Sequence, residues 1–150
     1  MALSSSQPQQ QPGPTMPTVF DKLNLKDQQE ILVLNAPASF EGELKGLNNI
    51  RVVRSIQAAK EVAFSLAFVT RQTELDSLSA ALIEKATDDA LLWFAYPKGT
   101  SKKYTCEFNR DKGWNVLRDT GFDTVRQIAV DEDWSALRFR RALFIRKPPK

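Results

Sequence analysis

Three features of this 150-residue sequence predict an α/β protein with three layers around a mostly parallel sheet that ends in an antiparallel β-hairpin. Short apolar runs, ILVL at 31–34, EVAFSLAFVT at 61–70 and ALLWFAY at 90–96, read as strands buried on both faces. Between the last two lies a stripe at helical spacing, Leu75, Leu78, Leu82, Ile83 and Ala86. Near the end, two strand-like segments flank Asp131-Glu132-Asp133, the spacing of a hairpin.

Taken in order, residues 1–18 (MALSSSQPQQQPGPTMPT) are uncharged and rich in Pro and Gln, with no apolar period, and are expected to be a disordered tail. Residues 19–150 are expected to form a single α/β domain. Val19, Phe20 and Leu23 suggest a brief helix ending near Lys26-Asp27, followed by a first strand at 31–34. Ser39 is placed to cap a short helix with Phe40, Leu44 and Leu47 on one face, ended by Asn48-Asn49.

Residues 50–56 (IRVVRSI) read as a second strand, and Arg51 and Arg54 put it at a sheet edge. Only about five residues link it to the strand at 61–70, reaching roughly 17 Å, enough for a tight pass beneath the sheet or for a hairpin. Thr73 and Asp76 resemble a capping box for the following helix, which Asp88-Asp89 should end. After the strand at 90–96 comes a basic loop, then Asn109 placed to cap a helix running to Thr120, with Gly121 as its stop. The hairpin strands are expected at 124–130 and 134–146, the second with Leu137, Phe139, Leu143 and Ile145 on a core face and Arg138, Arg140 and Arg146 on a charged one.

Composition excludes several chemistries. The chain has no histidine, which removes the Ser-His and Cys-His nucleophile systems and most zinc or iron ligand sets. The single Cys106 can form neither an intramolecular disulfide nor a cysteine metal cage. It reads as an inert small residue. The net charge of +3 is too small for the concentrated positive face of a typical nucleic-acid binder. With no long apolar run and no signal-like start, no membrane association is expected and a cytoplasmic location is.

The stretch from Leu66 to Arg146 resembles the second half of the class I, S-adenosylmethionine-dependent methyltransferase fold, so a Rossmann-like domain is implied. The phrases LVLNAP, YPKGTSKK, NRD and DEDWSALRFR further resemble a bacterial family of short stand-alone proteins without an established activity, over about residues 22–146. The methyltransferase resemblance implies a glycine-rich loop after the first strand and an acidic residue ending the second. Here those positions read Asn35-Ala36-Pro37-Ala38 and Arg54-Ser55. The same absences argue against a dinucleotide fingerprint, there is no Walker-type loop, and no cofactor or metal is expected.

Ligands of open α/β sheets sit beyond the carboxyl ends of the strands. The donors expected there are Asn35, Ser39, Thr70, Arg71, Lys98, Gly99, Ser101, Lys102, Asn109 and Arg110. Lys98 to Lys103 (KGTSKK) can cradle an anion through backbone amides, hydroxyls and lysines, with a helix starting at Asn109 adding its dipole. The same loop also reads as a turn made soluble by lysine. Arg110 is expected to pair with a hairpin acid.

The expected function is a non-catalytic binder of a small anionic metabolite or nucleotide at this edge. One alternative is a degenerate transferase, or a phosphate-handling enzyme using Asp131 or Asp133 with a metal. Another is a protein or nucleic-acid interaction module using Lys102, Lys103, Arg138, Arg140 and Arg146.

Overall fold

The computed structural model describes residues 19–145 other than 27 and 48, so the expected tail at 1–18 and Arg146 lie outside the described residues. The elements are α1 (Val19–Lys22), β1 (Glu30–Leu34), α2 (Glu41–Lys45), β2 (Arg51–Val53), β3 (Val62–Phe68), α3 (Gln72–Lys85), β4 (Ala86–Pro97), α4 (Asn115–Asp119), β5 (Phe122–Ala129) and β6 (Trp134–Arg141). The strands form one six-stranded sheet in the order β2-β1-β3-β4-β6-β5. The first four are parallel; β6 runs antiparallel to both β4 and β5. The expected architecture is therefore present, a mostly parallel sheet closed by an antiparallel hairpin.

Strand alternation divides the apolar side chains between two cores. Leu32 and Leu34 of β1, Ala67 of β3, Leu92 and Phe94 of β4, and Leu137 and Phe139 of β6 pack with Leu75 and Leu82 of α3 and Leu117 of α4. Ile31, Val33, Phe64, Leu66, Phe68 and Trp93 face the other way, onto Val19, Phe20 and Leu23 of the α1 region and Phe40 and Leu44 around α2. Trp93 is fully buried and its indole N–H donates to the Leu23 carbonyl at 2.9 Å, which fixes α1 on that face. Burying each such Leu or Phe contributes about 1.5–3 kcal/mol.

Both β2 and β3 pair in parallel with β1, so their short link is a pass across β1 and not a hairpin. Ile56 and Ala59 of this link pack in the α3 core. The Lys85 ammonium ties it down, donating to the carbonyls of Ile56 at 2.6 Å and Ala59 at 2.7 Å.

Several local expectations are corrected. Ser39 caps nothing: it lies within a 3₁₀ turn, Ala38–Phe40, whose N-cap is Pro37, and α2 begins after Phe40. The second strand is confined to Arg51–Val53. Thr73 is inside α3, and the amides at that end are taken by carboxylates: Thr70 N–H donates to Glu74 and Gln72 N–H to Glu107. Asp88 and Asp89 lie within β4, which follows α3 without a loop. An acid is tolerated there because Asp89 receives two hydrogen bonds from Arg140, each 2.7 Å.

Asn109 starts a tight turn and not a helix. Its side-chain oxygen accepts from the amides of Asp111 and Lys112, leaving α4 to begin at Asn115. Gly121 does terminate α4, at φ 94°. The last strand stops at Arg141, beyond which Leu143 is 78% exposed and outside the core. Its charged face is only half realised, because β6 is an inner strand and Arg138 is partly buried beside Trp93.

Candidate functional site

Beyond the carboxyl end of β4, residues 98–114 fold back over the sheet and are held at three places. Lys98 N–H donates to the Asp133 carbonyl at 2.8 Å, and the Ser101 hydroxyl donates to the Asp133 carboxylate at 2.9 Å while accepting from the amides of Lys103 and Tyr104. The basic loop and the hairpin turn are thus one unit. Farther on, Glu107 N–H donates to the Thr70 carbonyl and its carboxylate accepts from Gln72, joining the segment to the start of α3.

The third anchor is aromatic. Trp114 is buried, packs against the rings of Phe94, Tyr96, Phe108 and Phe139 at ring-centre distances of 5.1–5.8 Å, and donates its indole N–H to the Asn109 carbonyl at 2.7 Å. Gly113 permits this return: its φ is +107°, and a Cβ there would lie 2.6 Å from Phe108 Cβ and 2.8 Å from Gln72 Oε1.

Two adjoining clefts result. The first, about 440 Å³, is lined by Tyr96, Pro97, Lys98, Gly99, Ser101 and residues of the 104–112 segment including Tyr104, Phe108, Asn109 and Lys112. The second, about 540 Å³, is lined by Thr70, Arg71, Lys103, Tyr104, Thr105 and Glu107. Both volumes fall in the range of small-molecule sites. Lys102 lines a smaller depression, about 340 Å³, with Glu132 and Asp133.

Of the residues expected from sequence, Lys98, Gly99, Ser101 and Asn109 meet in the first cleft, and Thr70 and Arg71 in the second. Asn35 and Ser39 wall neither. Asn35, at φ 59°, instead donates its side-chain amide to the Phe68 carbonyl and to Glu74. Arg110 sits in the exposed turn and makes no ion pair with an acid among the described residues. The short α4 starts six residues after Asn109, so the expected helix dipole does not reach the loop.

Sequence reasoning missed Tyr96, Tyr104, Phe108 and Lys112 as cleft residues. The first three look like packing residues, and Lys112 comes near Lys98 only because the 108–114 turn doubles back.

Neither Cys106 nor Tyr96 is set up as a nucleophile. Burial pushes the Cys106 thiol up, so at neutral pH it is a thiol and a poor nucleophile. Burial likewise raises Tyr96, keeping its phenol a hydrogen-bond donor. Asp131 accepts from the amides of Asp133 and Trp134, and Asp133 accepts from Ser101, so both hairpin acids brace the turn. Among the described residues no group of three or more His, Cys, Asp or Glu side chains is placed to hold a metal. Of the basic residues considered for macromolecular binding, Arg138 faces Trp93 in the middle of β4 and Arg140 reaches Asp89 nearer its amino end, so neither joins Lys102 and Lys103 beyond the carboxyl end.

No protein-family model matches the chain, and no curated protein does. Solved structures do match in fold. A SAM-dependent methyltransferase from Aquifex aeolicus superposes with a TM-score of 0.56 at 15% identity, covering 82% of this chain and 87% of that one. A structure assigned as a type 11 methyltransferase from Sulfolobus solfataricus gives 0.50 at 7% identity, covering 80% and 88%. The chain thus has a methyltransferase-like Rossmann fold. At these identities the likeness concerns architecture alone.

The strand ends that the resemblance assigns to adenosylmethionine do not fit it here. The end of β1 carries Asn35 and Pro37 in place of glycines, and Glu74 closes across the ends of β1 and β3 by accepting from both Asn35 and Thr70. The position of the ribose acid is held by Arg54, which is paired with Glu41. Among the described residues no helix is long and apolar enough to cross a membrane.

Proposed function

We propose that this methyltransferase-like fold serves as a binder of a small anionic metabolite or nucleotide, held in the first cleft at the carboxyl end of β4. The observation that carries the reading is the arrangement of charge around that cleft. Lys98 and Lys112 line it without an acidic partner among the described residues, while the neighbouring carboxylates Glu107 and Asp133 are engaged by neutral donors. A bound anion would supply the missing counter-charge. The Gly99 backbone and the Asn109 side-chain N–H groups add hydrogen-bond donors at the same wall, where Ser101, itself committed to Asp133 and two loop amides, holds the loop in shape.

A panel of phosphorylated metabolites, nucleotides and inorganic phosphate, screened by thermal shift at low salt, is the test. At least one should raise the melting temperature, and Lys98→Ala with Lys112→Ala should remove the rise. No shift across the panel overturns the proposal.

A degenerate transferase is the second reading, favoured by the fold alone. It would require an adenosylmethionine-dependent shift in the same assay, against the poor fit of Asn35, Glu74 and Arg54.

A further inference from the structure

The floor of the first cleft contains a polar group without a protein partner. Tyr96 is only 5% exposed, with its ring among those of Phe108 and Trp114 at 6.1 and 5.8 Å. Its hydroxyl makes no hydrogen bond among the described residues, yet it is not one of the sealed unpartnered atoms, unlike Trp134 Nε1. The hydroxyl therefore opens on the cleft that Tyr96 lines. Of the deep indoles, Trp93 is satisfied by the Leu23 carbonyl and Trp114 by that of Asn109, while Trp134 Nε1 is closed off from any ligand. A hydroxyl that opens on a cleft from an otherwise buried side chain is a fixed donor placed for a ligand group.

The rest of the lining specifies more. Tyr104 is partly exposed and gives aromatic surface above the buried Pro97 and Phe108, while the cations Lys98 and Lys112 line the same space. About 440 Å³ exceeds what a bare oxyanion fills and accommodates a ring with a charged group attached.

We infer, resting on the anion-binding reading above, that the cleft selects aromatic or heteroaromatic phosphates: a ring lies against the partly exposed Tyr104, a hydrogen-bond acceptor of the ligand takes the Tyr96 hydroxyl, and the phosphate is held by Lys98 and Lys112. Stacking on an aromatic side chain strengthens binding roughly tenfold, and a single neutral hydrogen bond about three- to tenfold. Nothing is transferred in this step; the ligand enters and leaves unchanged.

Calorimetric titration of the full chain with inorganic phosphate, ribose 5-phosphate, phenyl phosphate, AMP and UMP separates the two levels of the reading. The tightest of the three ring-bearing compounds should bind about tenfold or more better than ribose 5-phosphate. If it is AMP or UMP, whose bases carry acceptors, Tyr96→Phe should weaken it about three- to tenfold while leaving ribose 5-phosphate unchanged. Tyr96→Phe keeps the ring, and its circular dichroism and melting temperature should match those of the parent. Equal binding of ribose 5-phosphate and all ring-bearing compounds, lost in Lys98→Ala with Lys112→Ala, overturns the aromatic selectivity and leaves the anion site standing. Preferred binding of AMP or UMP that Tyr96→Phe leaves untouched overturns the role given to the hydroxyl, and preference for phenyl phosphate over both nucleotides does the same. No binding of any of the five overturns both levels.

Discussion

Two basic regions lie along β4 and are built on different plans. At its carboxyl end, Lys98 and Lys112 surround a concavity, and the carboxylates beside them are occupied by amides and a hydroxyl. From its middle toward its amino end, Arg138 and Arg140 lie alongside on β6, and Arg126 of β5 is the direct cross-strand neighbour of Arg138. Arg140 is forked onto Asp89, but Arg138 Nε is buried with no partner. Burial, and then the neighbouring Arg140, lower the pKa of Arg138. Positive charge is therefore not the property that distinguishes a binding edge. The first region couples its cations to a hollow and to free donors; the second carries a like-charge pair on a ladder, an arrangement unfavourable in itself.

The largest way to break this contrast is to remove the support of the hollow. Trp114→Ala should cost about 3–5 kcal/mol in urea denaturation, because it deletes a buried indole touching four rings. A cost near that of a surface substitution would mean that the aromatic cluster does not hold the cleft together. Ser101→Ala cuts the hydroxyl bond between the basic loop and Asp133 and should cost about 1 kcal/mol in the same measurement, with Asp133 left partly buried.

At the other region the sign reverses. Arg138→Met keeps an unbranched side chain while removing an unpartnered Nε and a like-charge neighbour, so stability should stay level or rise by up to about 1 kcal/mol. A clear loss would make the arginine row a structural element. The smallest effect concerns pH. The hydrogen bond from Arg140 holds the Asp89 carboxyl below its usual range. Its stabilisation is thus present above the unfolded value of about 3.9 and disappears as pH falls through the lower folded one. The pair is well exposed, so solvent screening keeps this contribution below about 1 kcal/mol. The decline in urea midpoint from pH 5 to pH 2 should be slightly shallower in Asp89→Asn.

What the sequence conveyed depended on how local the cause was. ILVL at 31–34 and the run at 61–70 became inner strands because nothing but burial on both faces accommodates such segments. The hairpin, the edge position of β2 and the stop at Gly121 were equally legible. Asn109 was not, because an Asn oxygen caps a helix and a tight turn through the same acceptor, and only the packing of Trp114 and Gly113 decides between them. Thr73 was misleading for a related reason: Glu107, thirty-five residues away from Gln72, competes for the amides there. The aspartates at 88–89 looked like a break because their compensating arginine lies on β6. The cleft falls in the same class. Tyr96 and Phe108 have the appearance of core residues, and their common frontage arises only when residues 98–114 return across the sheet.

The junction of α3 with β4 bears on how this cleft can move. Helix ends and strand begins at consecutive residues, Lys85 and Ala86, and the Lys85 side chain is itself fastened to the β2–β3 link. The pairing with β3 is irregular directly after that junction: Val62 faces Ala86 but Phe64 faces Leu91, so three extra residues of β4 bulge out before the regular ladder resumes. The bulge separates the seat of α3 from the stretch of β4 that ends at Tyr96. The depth of the cleft floor is accordingly set by the ladder of 91–95 with β3 and β6, not by the helix.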